Sequence, residues 1–185
     1  MRSRPKIDQR LIATIVGLLL ATSLLTSPAL AQQSPVALVQ AVNSIGLTVA
    51  DTDRSVEFYS KILTFEKVSD VGVTDEAYEH LQGVFGARLR ITTLRAGVGP
   101  AIEFLEYLSP RDGRAYPPDH HANDLLHWQT QLVTGNAGAF SQTLRANKTP
   151  FVSPGVIAMP DGSLGFNKGM LVRDPDGHGI QLVER

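Results

Sequence analysis

Cysteine is absent from this 185-residue chain, and neither sign of charge is in large excess. The absence of cysteine excludes disulfide bonds, thiol nucleophiles, cysteine-ligated metals and a lipoprotein-type anchor. The 17 basic and 18 acidic residues form no strongly basic segment. Because phosphate binding requires a basic surface, we expect no nucleic-acid partner.

Long apolar runs are also scarce, and the one that stands out lies near the N-terminus. It starts at Leu11, follows four basic residues and extends over about 15 residues, fewer than the roughly 20 of a membrane-spanning helix. Small residues at Ala29 and Ala31 then complete the pattern of a secretory cleavage site. We predict a signal peptide over residues 1–31, cleaved between Ala31 and Gln32, with an uncleaved anchor as the alternative. The protein would then be periplasmic or secreted, with no stable membrane insertion after cleavage.

The chain that remains after cleavage has the size of one domain. It would hold 154 residues, with 13 basic and 17 acidic side chains and a net charge of −4. Residues 32–40, which are rich in Gln, Ser and Pro, predict a flexible leader. Residues 41–185 are long enough to bury one core of their own.

The order of predicted elements repeats within residues 41–185. Residues 44–49 alternate as a half-buried strand does, and Asp51 or Thr52 caps an amphipathic helix that buries Val56, Tyr59, Ile62 and Leu63. A short helix in TDEAYEHLQGVFG and a hairpin of ARLRITTLRAG and PAIEFLEYLSP follow.

The second half shows the same order after a Pro- and Gly-rich connection at residues 111–124. LLHWQTQLV predicts a strand, NAGAFSQTLRANK a helix with Ala139, Phe140 and Leu144 inward, and KGMLVRD and GIQLVE two closing strands. Neither half can bury its sheet alone. We therefore predict an α+β fold of two βαβββ modules, residues 41–110 and 125–185, that pair into a curved mixed sheet around a cleft.

Three segments resemble the vicinal-oxygen-chelate superfamily, which includes glyoxalase I, bleomycin-resistance proteins and extradiol dioxygenases. They are IGLTVADTDRSVEFYSKILTFE and IEFLEYLSP in module one and VRDPDGHGIQLVE in module two. The resemblance covers nearly the whole chain after the predicted cleavage site. It implies the glyoxalase/bleomycin resistance/dioxygenase fold, with a divalent metal held by four positions in the cleft.

The resemblance places those four positions on this sequence. Ser44 takes the place of the first histidine, Glu103 retains the glutamate of module one, and Gln181 takes the place of the last glutamate. The third position is Gln129 if Asn136 is matched to the family's aspartate. It is His127 if a histidine is matched instead. Both residues share one face of the predicted strand.

This set is poor in metal donors, since hydroxyl and amide groups bind zinc, nickel, manganese or iron weakly. The best metal set is Glu103 with His127 and Gln181, and Glu103 is then a ligand or a catalytic base. Its alternative is an ion pair with Arg88 or Arg90. No nucleotide cofactor is indicated.

Two functions remain open. One is an exported glyoxalase-like lyase or isomerase that acts on a small oxygen-rich substrate through this reduced metal site. The other is a metal-free module that binds or sequesters a small-molecule ligand, as bleomycin-resistance proteins do. An extradiol dioxygenase is less favoured, because a second histidine would have to come from His120 or His121, which we expect to be solvated.

Other side chains are candidates for the ligand site or for the core. Tyr78, Phe85 and Tyr107 border the cleft by resemblance, and Ser44 and Gln129 complete the ligand-binding set. We interpret Trp128 as a core residue and His178 as a turn residue that contacts the loop backbone. Superfamily members often pair modules from two chains, so we expect a homodimer, with a monomer as the alternative.

Overall fold

The first 37 residues lie outside the part of the chain that the structure, a computed structural model, describes; it covers residues 38–185. The predicted signal peptide and most of the predicted leader therefore lie outside the described residues. Residues 41–185 form one compact unit. Within residues 38–185, no helix is long and apolar enough to cross a membrane.

The described chain folds into two modules of strands and helices. Module one contains β1 (Ser44–Thr48), α1 (Thr52–Glu57, continued by a π-helical turn over Phe58–Ile62), β2 (Glu66–Val73), α2 (Glu76–Gln82), β3 (Arg88–Arg95) and β4 (Ala101–Ser109). Module two contains β5 (Gln129–Val133), α3 (Ala137–Ala146), β6 (Ile157–Ala158), β7 (Lys168–Arg173) and β8 (Gly179–Glu184). This confirms the predicted α+β fold.

Each module forms its own four-stranded mixed sheet. The strand orders are β1-β4-β3-β2 and β5-β8-β7-β6. β1 is parallel to β4, and β5 is parallel to β8. The other neighbouring strands in each sheet are antiparallel. The parallel pairs place the start and the end of a module side by side, which brings residues distant in sequence onto one surface.

One face of these strands builds a hydrophobic core to which both modules contribute. Leu47, Phe104 and Tyr59 of module one belong to the same buried cluster as Val172 and Ile180 of module two. Because side chains alternate along a strand, the intervening residues lie on the opposite face. We call this second face of β1, β4, β5 and β8 the open face; it carries Ser44, Gly46, Thr48, Glu103, Leu105, Tyr107, Gln129, Gln131 and Gln181.

Helix α1 buries the stripe that its sequence predicts. Tyr59 and Leu63 are buried, and Val56 and Ile62 pack against the core cluster. The cap is Asp51, whose carboxylate accepts the backbone N–H of Arg54 at 3.0 Å.

In α3 the predicted inward stripe is only partly correct. Leu144 is fully buried and Phe140 packs against the core, as predicted. Ala139 is exposed, and Ala137 and Ser141 are the residues that the helix buries instead. The buried stripe therefore starts two residues earlier than the sequence indicated.

Two strands differ from the prediction. β2 was not predicted, because this edge strand is exposed along nearly its whole length and lacks apolar alternation. β5 was predicted to include Leu125 but begins at Gln129, since the N–H of His127 bonds to the carbonyl of Asp124 in a turn. The interpretation of Trp128 as a core residue is consequently wrong, because its side chain precedes the strand and is 46% exposed.

The turn between β7 and β8 connects the two modules. Asp176 Oδ1 accepts the N–H of Ala50 at 3.2 Å and the guanidinium of Arg54 at 2.6 Å. Its Oδ2 accepts the Ser55 hydroxyl at 3.1 Å. These contacts hold the turn of module two against the start of α1, beside the open face.

Candidate functional site

The two modules carry matching contacts that align them residue by residue. Asp51 caps α1 as Asn136 caps α3, each by accepting the third N–H of its helix. Glu106 of β4 accepts the N–H of Thr52 at 3.2 Å, and Glu184 of β8 likewise accepts the first N–H of α3 at 2.7 Å. The modules are therefore internally related by structure as well as by element order.

This internal match identifies the counterparts on the open face. Ser44 precedes its cap by the same number of residues as Gln129 precedes Asn136. Glu103 precedes Glu106 as Gln181 precedes Glu184. The pairing agrees, because Gly46 lies opposite Glu103 and Gln131 lies opposite Gln181. Gln129, rather than His127, is thus the structural counterpart of Ser44.

The four matched positions hold one carboxylate, one hydroxyl and two amides. Gln181 Oε1 accepts a hydrogen bond from Gln131 Nε2 at 2.8 Å. Gln129 Oε1 lies 3.2 Å from His127 Nε2, so it accepts from that nitrogen. Among residues 38–185, no group of three or more His, Cys, Asp or Glu side chains could hold a metal ion. This donor set does not fit a divalent transition metal, which prefers imidazole and carboxylate ligands.

His127 offers no nitrogen in a position to bind a ligand. Its Nε2 carries the proton that Gln129 Oε1 accepts, which leaves the lone pair on Nδ1. Nδ1 is buried and lacks a hydrogen-bond partner in the described part of the chain. The ring lies beside Gly179, where a Cβ would come within 2.9 Å of Cε1.

Among the four matched positions, Glu103 is the one that carries a charge. It is half-buried and takes part in no ion pair or side-chain hydrogen bond with any residue from 38 to 185. The alternative pairing with Arg90 is wrong, since that guanidinium binds Asp70 at 2.8 Å and Asp53 at 3.0 Å on the opposite face. Glu103 therefore presents an unpaired carboxylate to the open face.

A cavity of about 830 Å³ lies at one end of the open face. Module one contributes Gly46, Thr48 and Tyr107, and module two contributes Trp128 and His178. The connection from Pro110 to Tyr116 forms a further wall. Its volume is within the range typical of small-molecule sites.

The predicted aromatic candidates take different places around this cavity. Tyr107 lines it, and burial together with the neighbouring Tyr78 raises the pKa of the Tyr107 phenol. Tyr78 itself is half-buried on α2. Phe85 is 91% exposed, and the adjacent Val84 lines the cavity in its stead.

A polar cluster at the cavity was not predicted from the sequence. His178 is buried, and its Nδ1 lies 2.8 Å from Asp174 Oδ2, so the expectation of a backbone contact is wrong. His120 is not simply solvated: its Nδ1 donates to the carbonyl of Pro117 at 2.6 Å, and its Nε2 contacts the guanidinium of Arg173. The DPDGH sequence was the available signal for the first contact. The second joins residues 53 positions apart, and no sequence pattern indicates it.

The model of the glyoxalase/bleomycin resistance protein/dioxygenase superfamily matches residues 41–182. The chain belongs to this superfamily. No curated protein is similar enough in sequence to match it. Solved structures of the superfamily nevertheless share its fold.

Three solved structures illustrate that likeness. A glyoxalase family protein from Bacillus cereus superposes with a TM-score of 0.67 at 16% identity, covering 82% of this chain and 97% of its own. The trypanothione-dependent glyoxalase I of Leishmania major gives 0.55 at 16% identity, covering 79% and 87%. TnmS3, an antibiotic binding protein from Streptomyces sp. CB03234, gives 0.51 at 16% identity, covering 80% and 98%. At such identities the likeness shows the superfamily fold alone.

Proposed function

We propose that this superfamily member binds small organic molecules on its open face without a metal ion. The observation that carries the proposal is the hydrogen bonding and charge of the side chains at the four matched positions. Gln129 and Gln181 already accept hydrogen bonds from neighbouring side chains, and Glu103 is the one charged group among the four. Neutral polar groups suit hydrogen bonding to a ligand better than coordination of a cation.

The cavity supports binding of a ligand of moderate size. It combines aromatic walls from Tyr107 and Trp128 with a few polar groups, which is the usual composition of a small-molecule site. Glu103 is outside the cavity lining but lies opposite Gly46, which belongs to it, and its unpaired carboxylate is available to a donor group on a ligand. Antibiotic binding by TnmS3 shows a use of the same fold that is compatible with this proposal.

We also propose that binding takes place outside the cytoplasm. The basic N-terminus, the apolar run and the small residues before Gln32 support export followed by cleavage between Ala31 and Gln32. N-terminal sequencing of the protein from the periplasmic or extracellular fraction of its host checks this. A protein that begins at its first residue and remains with the cells would contradict it.

A ligand screen in the presence of EDTA tests the binding function. We expect small aromatic or oxygen-rich molecules to raise the melting temperature without added metal. The same molecules should change the fluorescence of Trp128, the sole tryptophan, because it lines the cavity. In Trp128→Phe the thermal shift should persist in reduced form and the fluorescence signal should vanish. Stabilisation or substrate turnover that requires added metal would favour the lyase or isomerase alternative.

A further inference from the structure

We propose that the cavity selects planar aromatic ligands bearing a hydroxyl group, and that Nε2 of His178 accepts the hydrogen bond from that hydroxyl. This inference rests on the proposed function and names the class of ligand. It assigns a binding role to a histidine that lies outside the four matched positions.

The tautomer of His178 is determined by the carboxylate behind it. Asp174 is 2% exposed, and its Oδ1 accepts the backbone N–H groups of Asp176 and His178, both at 2.9 Å. Burial and the neighbouring Asp174 raise the pKa of the Tyr59 phenol, so this group stays protonated and donates to Asp174 Oδ2 at 3.4 Å. The same Oδ2 lies 2.8 Å from His178 Nδ1. Since a carboxylate only accepts, Nδ1 is a protonated nitrogen, and in the neutral tautomer Nε2 carries the lone pair.

The lone pair on Nε2 is available to a ligand. His178 lines the cavity, and its Nε2 receives no hydrogen bond from any residue that the structure describes. This nitrogen is also not completely buried. Tyr116, another residue of the cavity lining, packs against the ring edge to face with centroids 5.2 Å apart. A fixed acceptor thus faces the cavity without a protein donor.

The other walls favour a flat aromatic molecule. Trp128 exposes nearly half of its side chain, and Tyr107 and Tyr116 add two more rings. Gly46 also lines the cavity and is exposed, so its backbone is accessible to a ligand. Aromatic pairs add stacking energy to the burial of apolar area. A hydroxyl on such a ligand would donate to His178.

Calorimetry with a matched pair of ligands tests the selection. We expect 2-naphthol to bind at least about tenfold more tightly than 2-methoxynaphthalene, which corresponds to about 1.4 kcal/mol. The two molecules share the ring system, and in the second a methyl group replaces the hydroxyl hydrogen. Equal affinity would overturn hydroxyl recognition while leaving metal-free binding intact. No binding of either would overturn the aromatic class, and the EDTA screen decides the proposed function separately.

An isosteric variant tests the role of Asp174 as a positioning residue. In Asp174→Asn the two backbone N–H groups keep the amide oxygen on their side, so the NH₂ group faces His178 Nδ1. The ring proton then moves to Nε2, which becomes a donor, and the preference for 2-naphthol should disappear or reverse. The control is Asp112→Asn, which removes a charge from the cavity lining without touching His178. A preference that survives in Asp174→Asn would overturn the assignment.

Nitrogen-15 NMR of the unmodified protein gives a measurement that no folding defect can affect. Addition of 2-naphthol should shift the Nε2 resonance of His178 in the direction of a hydrogen-bonded acceptor. Addition of 2-methoxynaphthalene should leave it in place. An Nε2 resonance that responds equally to both ligands, or to neither, would overturn the proposal.

Discussion

The two glutamates of β4 show how the face of a strand determines the task of a side chain. Glu103 lies on the open face and has no side-chain partner within residues 38–185. Glu106 lies on the core side, where it accepts the N–H of the fully buried Thr52 and approaches Arg111 at 3.7 Å. The first is available to a ligand, whereas the second completes the N-terminus of α1.

Alanine substitutions separate these two roles. Glu106→Ala should lower the free energy of unfolding by about 1–2 kcal/mol, because the buried N–H of Thr52 loses its acceptor. Glu103→Ala should change it by no more than about 0.5 kcal/mol and should weaken binding of ligands found in the EDTA screen. Urea unfolding provides the measurement. A loss of stability in Glu103→Ala as large as that in Glu106→Ala would show that Glu103 has a structural partner.

For single residues, the sequence predicts which face of a strand a side chain occupies better than it predicts which group the side chain contacts. Alternation places Ser44 on one face of its strand, the resemblance places Glu103 in the same cleft, and the structure has both on the open face. The partners of Arg90 and His178 could not be predicted, because each depends on how strands and turns are brought together in space. The carboxylate of Asp70 lies across a strand pair, and that of Asp174 lies across a turn.

Among the elements, β5 and β8 approach each other closely at Gly179. A Cβ at this position would lie 3.0 Å from the carbonyl oxygen of Trp128 and 3.1 Å from Gln129 Cβ. Only glycine allows this contact without movement of the backbone. The close approach fixes the segment that carries Trp128 and His127 against the last strand.

Gly179→Ala should therefore displace this segment. We expect a loss of about 1–3 kcal/mol in the free energy of unfolding and a shift in the fluorescence maximum of Trp128. Gly72→Ala is the matched control, because a Cβ there meets no atom within 4 Å. An unchanged spectrum and stability in Gly179→Ala would contradict the close approach.

The pairing of β2 with β3 contributes a stabilisation that depends on pH. The guanidinium of Arg90 holds the pKa of Asp70 well below its ordinary value of 3.8, with smaller contributions from Lys67 and Thr92. A carboxyl with a lowered folded-state pKa stabilises the fold above its unfolded pKa, and this contribution is lost as the pH falls through the folded value. The pair is partly exposed, so we expect about 1 kcal/mol at pH 7.

Melting temperatures measured between pH 7 and pH 2.5 check this contribution. Asp70→Asn should melt lower than the wild type at pH 7, and the difference should shrink as the pH falls below about 4. Glu57→Gln, which removes an exposed pair on α1, should change little at any pH. A constant difference across the range would mean that the carboxylate charge is not responsible.

Helices and strands with a strong hydrophobic period could be predicted from the sequence. Those that form only through contacts with the rest of the fold could not. α1 has an apolar stripe and a cap, and its predicted face is correct. β2 has neither, because an edge strand exposed on both sides needs no alternating pattern. Trp128 was misassigned for a related reason: an apolar run before β5 resembled a strand but forms a turn.

In the whole molecule, the two modules share one core, and the turn around Asp176 connects them. Asp176 is 11% exposed and binds three groups at the start of α1. The same turn carries His178, so the junction of the modules also positions the cavity wall. Stability of the junction and the geometry of the cavity are therefore coupled.

Asp176→Ala should destabilise the protein by about 2–4 kcal/mol, because a single carboxylate supplies three hydrogen bonds across the junction. Asp161→Ala, in an exposed turn, should stay within about 0.5 kcal/mol of the wild type. Urea unfolding compares the two variants. Similar small effects in both would show that the core alone holds the modules together.

The most direct test of metal-free binding is calorimetric titration of the purified protein with manganese, iron, cobalt, nickel and zinc. We predict no stoichiometric binding by the wild type. A variant with Ser44→His, Gln129→His and Gln181→Glu serves as the positive control, because it supplies imidazole and carboxylate donors at the matched positions. One-to-one binding by the wild type that is lost in Glu103→Gln would contradict the account and establish a metal site.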